Sequence, residues 1–127
     1  MRKRLTGAET RLERAVQREC NRHAGDYDEG VSGFLDDLFY GGCASGMVGS
    51  LVYYNDTIPF YKRHQEEIDA LLGAMLDDCG CSPAQLFGDN WDDSDPLAHR
   101  THNHNLLAWF GFEETARRLA DRNGYEG

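Results

Sequence analysis

The residue types able to do chemistry fall in a few short stretches. Cys79-Gly80-Cys81 puts two thiols on one turn, and His102-Asn103-His104 puts two imidazoles on another. Zinc takes such nitrogen and sulfur donors tetrahedrally, so Cys79, Cys81, His102 and His104 form a candidate zinc site. The spacings C-x-C and H-x-H are weaker zinc signals than paired C-x-x-C. The competing reading is that the cysteines end a helix and the histidines lie on the surface. Cys20-x-x-His23 offers a further half-site. An acidic stretch holds Asp89, Asp92, Asp93 and Asp95. Read as a calcium loop from Asp89, it has Trp91 where an oxygen ligand belongs and Ser94 where glycine belongs, so the register fails. A solvated acidic loop is expected instead. Trp91 inside it either serves as an apolar anchor for a partner or folds back onto the core.

Other arrangements carry less. Gly42-Cys43-Ala44-Ser45-Gly46 has a nucleophile's outline, but it sits in a base-free acidic stretch without the electropositive setting a reactive thiolate needs. It reads better as a tight packing turn. His64 with Glu67 reverses the Glu-x-x-His order of di-iron bundles, and Glu113-Glu114 have Arg117 and Arg118 within reach for pairing. Walker loops, dinucleotide glycine motifs, nucleophile elbows and His-Glu-x-x-His are all missing from the sequence. The chain is read as acting without catalysis.

The elements that must position these residues are helical. Leu5, Ala8, Leu12, Val16 and Cys20 recur every three to four residues, predicting an amphipathic helix over 6–23 with Arg11, Arg14, Arg18 and Arg22 on its other face. Val31, Phe34, Leu35, Leu38 and Phe39 predict a second, broken at Gly41-Gly42. A third is expected over 44–54, with a strand through 50–54 as the alternative. Asn55-Asp56-Thr57 before Pro59 starts a fourth that runs to Gly80, and Ser82-Pro83 opens a short turn burying Leu86 and Phe87. A last helix runs from Asp95-Pro96 to about Arg122, with Leu106, Trp109, Phe112, Ala116 and Leu119 on one stripe and Leu107 and Phe110 on a second. The expected fold class is all-α: a single compact domain over 1–127, of five or six helices, with an acidic loop before the last one.

Composition sets outer limits. With 127 residues, 40% apolar and 28% charged, the chain has the makeup of one soluble globular domain, and no apolar run is long enough to span a bilayer. Residues 1–20 lack the apolar stretch of a signal peptide, and four cysteines then suggest free thiols in a reducing compartment, so cytoplasm is expected. Charge is unevenly placed. Residues 1–22 hold seven bases and three acids, a balance of +4, whereas 23–127 hold six bases and 19 acids, a balance of −13. From His64 to His99 there are nine acids and no Lys or Arg. Such a body repels nucleic acid, so direct nucleic-acid binding is disfavoured despite the arginine stripe, whose partners are expected to be internal or on another protein.

Two blocks, Ser45–Ile68 (SGMVGSLVYYNDTIPFYKRHQEEI) and Asn105–Leu119 (NLLAWFGFEETARRL), resemble a group of small proteins carried by phages and other mobile elements of bacteria. Both blocks are rich in packing residues, so the resemblance implies a shared fold and a mobile-element origin, with no catalytic residues to carry over. Small acidic proteins of that origin often counter host defence, as anti-CRISPR proteins do. That origin, the −13 acidic body and the missing catalytic motifs together lead to the expectation of a protein that binds and inhibits a host CRISPR effector or other nuclease by blocking nucleic-acid access. The acidic residues Asp77, Asp78, Asp89, Asp92, Asp93 and Asp95 would face its basic channel, with Trp91 as anchor. The alternative is a helical regulatory or interaction module, stabilised by zinc, that binds another phage or host protein.

Overall fold

Short helices with clear start and stop chemistry make up this chain, and a computed structural model describes residues 4–41, 57–88, 91 and 103–125. The protein is all-α, with no strand among the described residues. In order these are α1 (Arg11–Ala24), α2 (Val31–Asp36) running into a π-helical turn (Asp37–Gly41), α3 (Thr57–Arg63), α4 (Gln65–Cys79), α5 (Pro83–Phe87) and α6 (Asn103–Arg122). The predicted third helix over 44–54, its strand alternative and most of the acidic loop lie outside the described residues. None of the described helices is long and apolar enough to cross a membrane.

The chain packs as two compact units, Met1–Gly49 with Phe112–Gly127, and Ser50–Gly111. In the first, Leu12, Val16, Cys20 and Ala24 bury the predicted stripe of α1, while α2 supplies Val31, Phe34 and Leu35. The rings of His23 and Phe34 stack at 5.5 Å, joining the two helices. Helix α1 starts five residues later than the periodicity predicts, and the reason lies in the hydrogen bonds. Thr10 caps the helix by accepting from the Glu13 N–H. Before it, the backbone is claimed by side-chain amides. Asn21 accepts from Leu5 N–H at 2.8 Å and donates to Leu5 O at 3.0 Å. Asn123 pairs in the same way with Thr6, and Gln17 accepts from Ala8 N–H. These bonds hold residues 5–8 as a non-helical strap, turned at Gly7 with φ +84°, whose Leu5 side chain is buried.

The second unit contains the break that the sequence pattern conceals. A continuous fourth helix is interrupted at His64, whose φ of −124° and ψ of 20° end α3 and begin α4. His64 N–H bonds back to Tyr61 O at 3.1 Å, a tighter turn than α-helical, and the imidazole lies buried edge-on to Phe60 at 5.2 Å. Ile68 is fully buried, and α6 meets it at Gly111, where a Cβ would lie 2.6 Å from Ile68 Cγ1. Glycine is required there for the helices to approach. Helix α6 contributes Leu107, Ala108 and Phe110 to this core, and Phe112, Ala116, Leu119 and Ala120 to that of the first unit. This partition accounts for its apolar residues on nearly every side.

Candidate functional site

The chemistry-bearing residues that the structure does bring together stand at the C-terminal end of α4. Asp77 and Asp78 are exposed in its last turn, and no basic residue lies in that turn. The backbone carbonyls at a helix C-terminus already carry partial negative charge, so these carboxylates add to it rather than offset it. Gly80 then adopts the left-handed conformation, φ +66°, and closes the helix with its N–H on Leu76 O. Cys81 N–H reaches the same carbonyl at 3.1 Å. This turn folds Cys81 back over Cys79, leaving their Cα atoms 5.3 Å apart and their sulfurs joined in a disulfide. Two sequence expectations change as a result. Cys79 and Cys81 are not free thiols in this structure, and as a disulfide neither offers the thiolate that zinc would need. Ser82 follows at once as the N-cap of α5, in a capping box with Gln85.

Trp91 takes the second of its two expected positions. It is only 8% exposed and stacks on Phe87 at 5.3 Å, with Phe87 edge-on to Phe110 at 6.0 Å. An indole packed this way contributes to the core and is not presented to a partner, so the expected partner anchor is withdrawn. Leu86 and Phe87 are half-buried rather than buried. Asp89, Asp92, Asp93, Asp95 and His102 lie outside the described residues. His104 falls in the first turn of α6, with its side chain outside those described. Among the described residues no three His, Cys, Asp or Glu side chains come together as a metal site.

The remaining candidates resolve into structural roles. Cys20 is buried in the core, and burial pushes its thiol well up. Arg14 donates to Glu9 O at 2.9 Å and Arg22 to Glu19, while Arg11 and Arg18 are exposed. Glu113 pairs with Arg117 at 3.0 Å and Glu114 with Arg118 at 3.6 Å, both one helical turn apart. Tyr61 is buried and donates to Asp69 at 2.8 Å; burial first, and the Asp69 carboxylate second, push its hydroxyl up.

Two clusters escape sequence reasoning because their members are far apart along the chain. Arg122 forms a two-pronged pair with Glu13, at 2.9 and 3.0 Å, and donates to Gly7 O at 2.7 Å. Arg117 lies 4.3 Å over the Phe39 ring, beside Tyr125, whose hydroxyl donates to Asp36. Neighbouring Tyr40 is 70% exposed. No local spacing announces either cluster.

These features define a helical protein whose described polar groups mostly serve caps and ion pairs, with two adjacent exposed acids at the end of α4. The chain belongs to the family described as Domain of unknown function (DUF7222), whose profile matches residues 9–125. No curated protein and no solved structure matches it.

Proposed function

We propose that this protein acts by binding rather than catalysis, and that it inhibits a host nucleic-acid-targeting complex by occupying a basic channel with acidic side chains. The observation that carries this reading is the pair Asp77 and Asp78, exposed at the negative pole of a 15-residue helix. Acids in that position cost the helix roughly 0.3–1 kcal/mol each, where a lysine would stabilise it by a similar amount. The sequence from His64 to His99 adds seven further acids and no Lys or Arg to cover them. Such an arrangement suits a basic surface and repels nucleic acid itself. A CRISPR effector is the partner class that the mobile-element resemblance supports. With Trp91 in the core, attraction rests on charge, so binding should weaken steeply with salt.

The test is capture of a reconstituted CRISPR effector by the tagged protein across a series of salt concentrations, beside the variant D77K/D78K. Both positions are exposed, so the variant is expected to keep its helical circular dichroism. Salt-sensitive capture that the variant loses supports the reading. Absence of capture at low salt, or capture indifferent to salt and to the double reversal, overturns it.

A further inference from the structure

The described cysteines divide sharply by environment. Cys20 is sealed in the core, whereas Cys79 is exposed and Cys81 half-exposed at the corner between α4 and α5. The corner is built so that these two sulfurs meet. Gly80 alone separates them, its left-handed φ of +66° reverses the chain, and Cys81 N–H is tied to Leu76 O. The resulting Cα separation of 5.3 Å lies within the range disulfides span. Neither sulfur is needed to fill a core, and both flanking helices carry their own end chemistry, the Gly80 turn for α4 and the Ser82–Gln85 capping box for α5. The fold therefore accommodates both the bonded pair and the separated thiols. A loop of three residues also removes little entropy from the unfolded chain, so this bridge is poorly suited to structural stapling. Exposed disulfides of this kind are the labile ones.

We propose that Cys79-Gly80-Cys81 is a reversible dithiol–disulfide site that exchanges electrons with low-molecular-weight thiols and disulfides such as glutathione. In the oxidising direction, one cysteine thiolate attacks a sulfur of glutathione disulfide, and one glutathione thiolate leaves. The second cysteine thiolate then attacks the protein sulfur of that mixed disulfide, the Cys79–Cys81 bond forms, and a second glutathione thiolate departs. The two protons given up by the cysteines end on the two glutathione thiols. Two electrons pass from the protein to the glutathione. Reduction runs the same steps backwards. Asp77 and Asp78 are adjacent in sequence, so the site reports redox state at the acidic helix end, but the proposal stands whether or not that end binds a partner.

The sequence supplies a clean assay. Trypsin cuts after Arg63 and Arg100 and nowhere between, so the peptide 64–100 carries Cys79 and Cys81 and no other cysteine. The full-length protein is equilibrated with chelator in glutathione buffers of graded ratio, starting once fully reduced and once oxidised. Free thiols are then alkylated and the peptide is weighed. The expected result is interconversion of the doubly alkylated and disulfide forms, with one midpoint reached from both directions and unchanged helical circular dichroism. The variant C81S cannot close the ring, so its Cys79 should retain several-fold more bound glutathione than the wild type does. The proposal fails if peptide 64–100 stays dithiol under excess glutathione disulfide. It fails equally if the bridge yields to reduced glutathione only in denaturant, or if wild type and C81S hold equal glutathione.

Discussion

Glu13 shows how much one side chain organises here. It accepts both prongs of Arg122, and through its other contacts it accepts from the Glu9 backbone N–H at 2.8 Å while its own N–H is taken by Thr10. The bonds from Arg122, opposed by partial burial and helped by the Glu9 N–H, lower its carboxyl from an ordinary 4.5 to about 2. A group depressed in the folded state stabilises the fold fully above its unfolded value, and that contribution is lost as pH falls through the folded value. The window is therefore pH 4.5 down to 2. E13Q keeps the shape and removes the charge. It should be less stable than wild type in urea unfolding at pH 7, with the gap narrowing below pH 4.5 and closing near pH 2. A gap that persists unchanged at pH 2 would assign the loss to packing rather than to charge.

Helix by helix, the chain tests how tightly the elements are specified. At the α4–α6 approach, a methyl on Gly111 would lie 2.6 Å from Cγ1 and 2.7 Å from Cδ1 of the buried Ile68. Overpacking of that kind costs about 1–3 kcal/mol, more than the ~1 kcal/mol that alanine returns in helix propensity. G111A should therefore be destabilised, and in an I68A background the same change should cost almost nothing, which a double-mutant cycle by denaturant unfolding reads directly. At the start of α1, T10A removes the cap on Glu13 N–H and should cost about 1 kcal/mol in the same assay. The all-α class and the stripe Leu12, Val16, Cys20 were legible because apolar periodicity reports burial, and Ser82-Pro83 and Gly80 were legible because caps are local chemistry. The break at His64 was not, since the apolar spacing continues across the turn and no glycine or proline marks it. Nor was the strap at 5–8, because Leu5 and Ala8 keep helical spacing while Asn21, Asn123 and Gln17 hold their backbone from elsewhere. At the candidate site Asp77 and Asp78, expected to face a partner's basic channel, are exposed. Free thiols were expected at Cys79 and Cys81, and the bridge found there instead depends on the handedness of one glycine, which their spacing does not report.

For the molecule as a whole, the question is whether attraction to basic surfaces follows its net charge of −9 or the placement of that charge. Screening decides which matters. At physiological salt the Debye length is about 8 Å, so charges farther apart than that act separately, whereas at a tenth of that salt most of the molecule acts as one charge. D77K/D78K changes the net charge by +4, from −9 to −5. D28K/D121K, at two exposed positions of the first unit, changes it by the same amount. Immobilised poly-lysine is a basic surface with no shape to recognise, and retention on it measures attraction alone. If the exposed acids at the end of α4 dominate, D77K/D78K should elute at clearly lower salt than D28K/D121K near physiological ionic strength, and the two should converge when loaded and compared at low salt. Equal elution of the two variants at every salt would mean that total charge governs attraction and that the α4 end has no privileged part in it. That result would remove the electrostatic basis for placing a partner there, whatever the partner is.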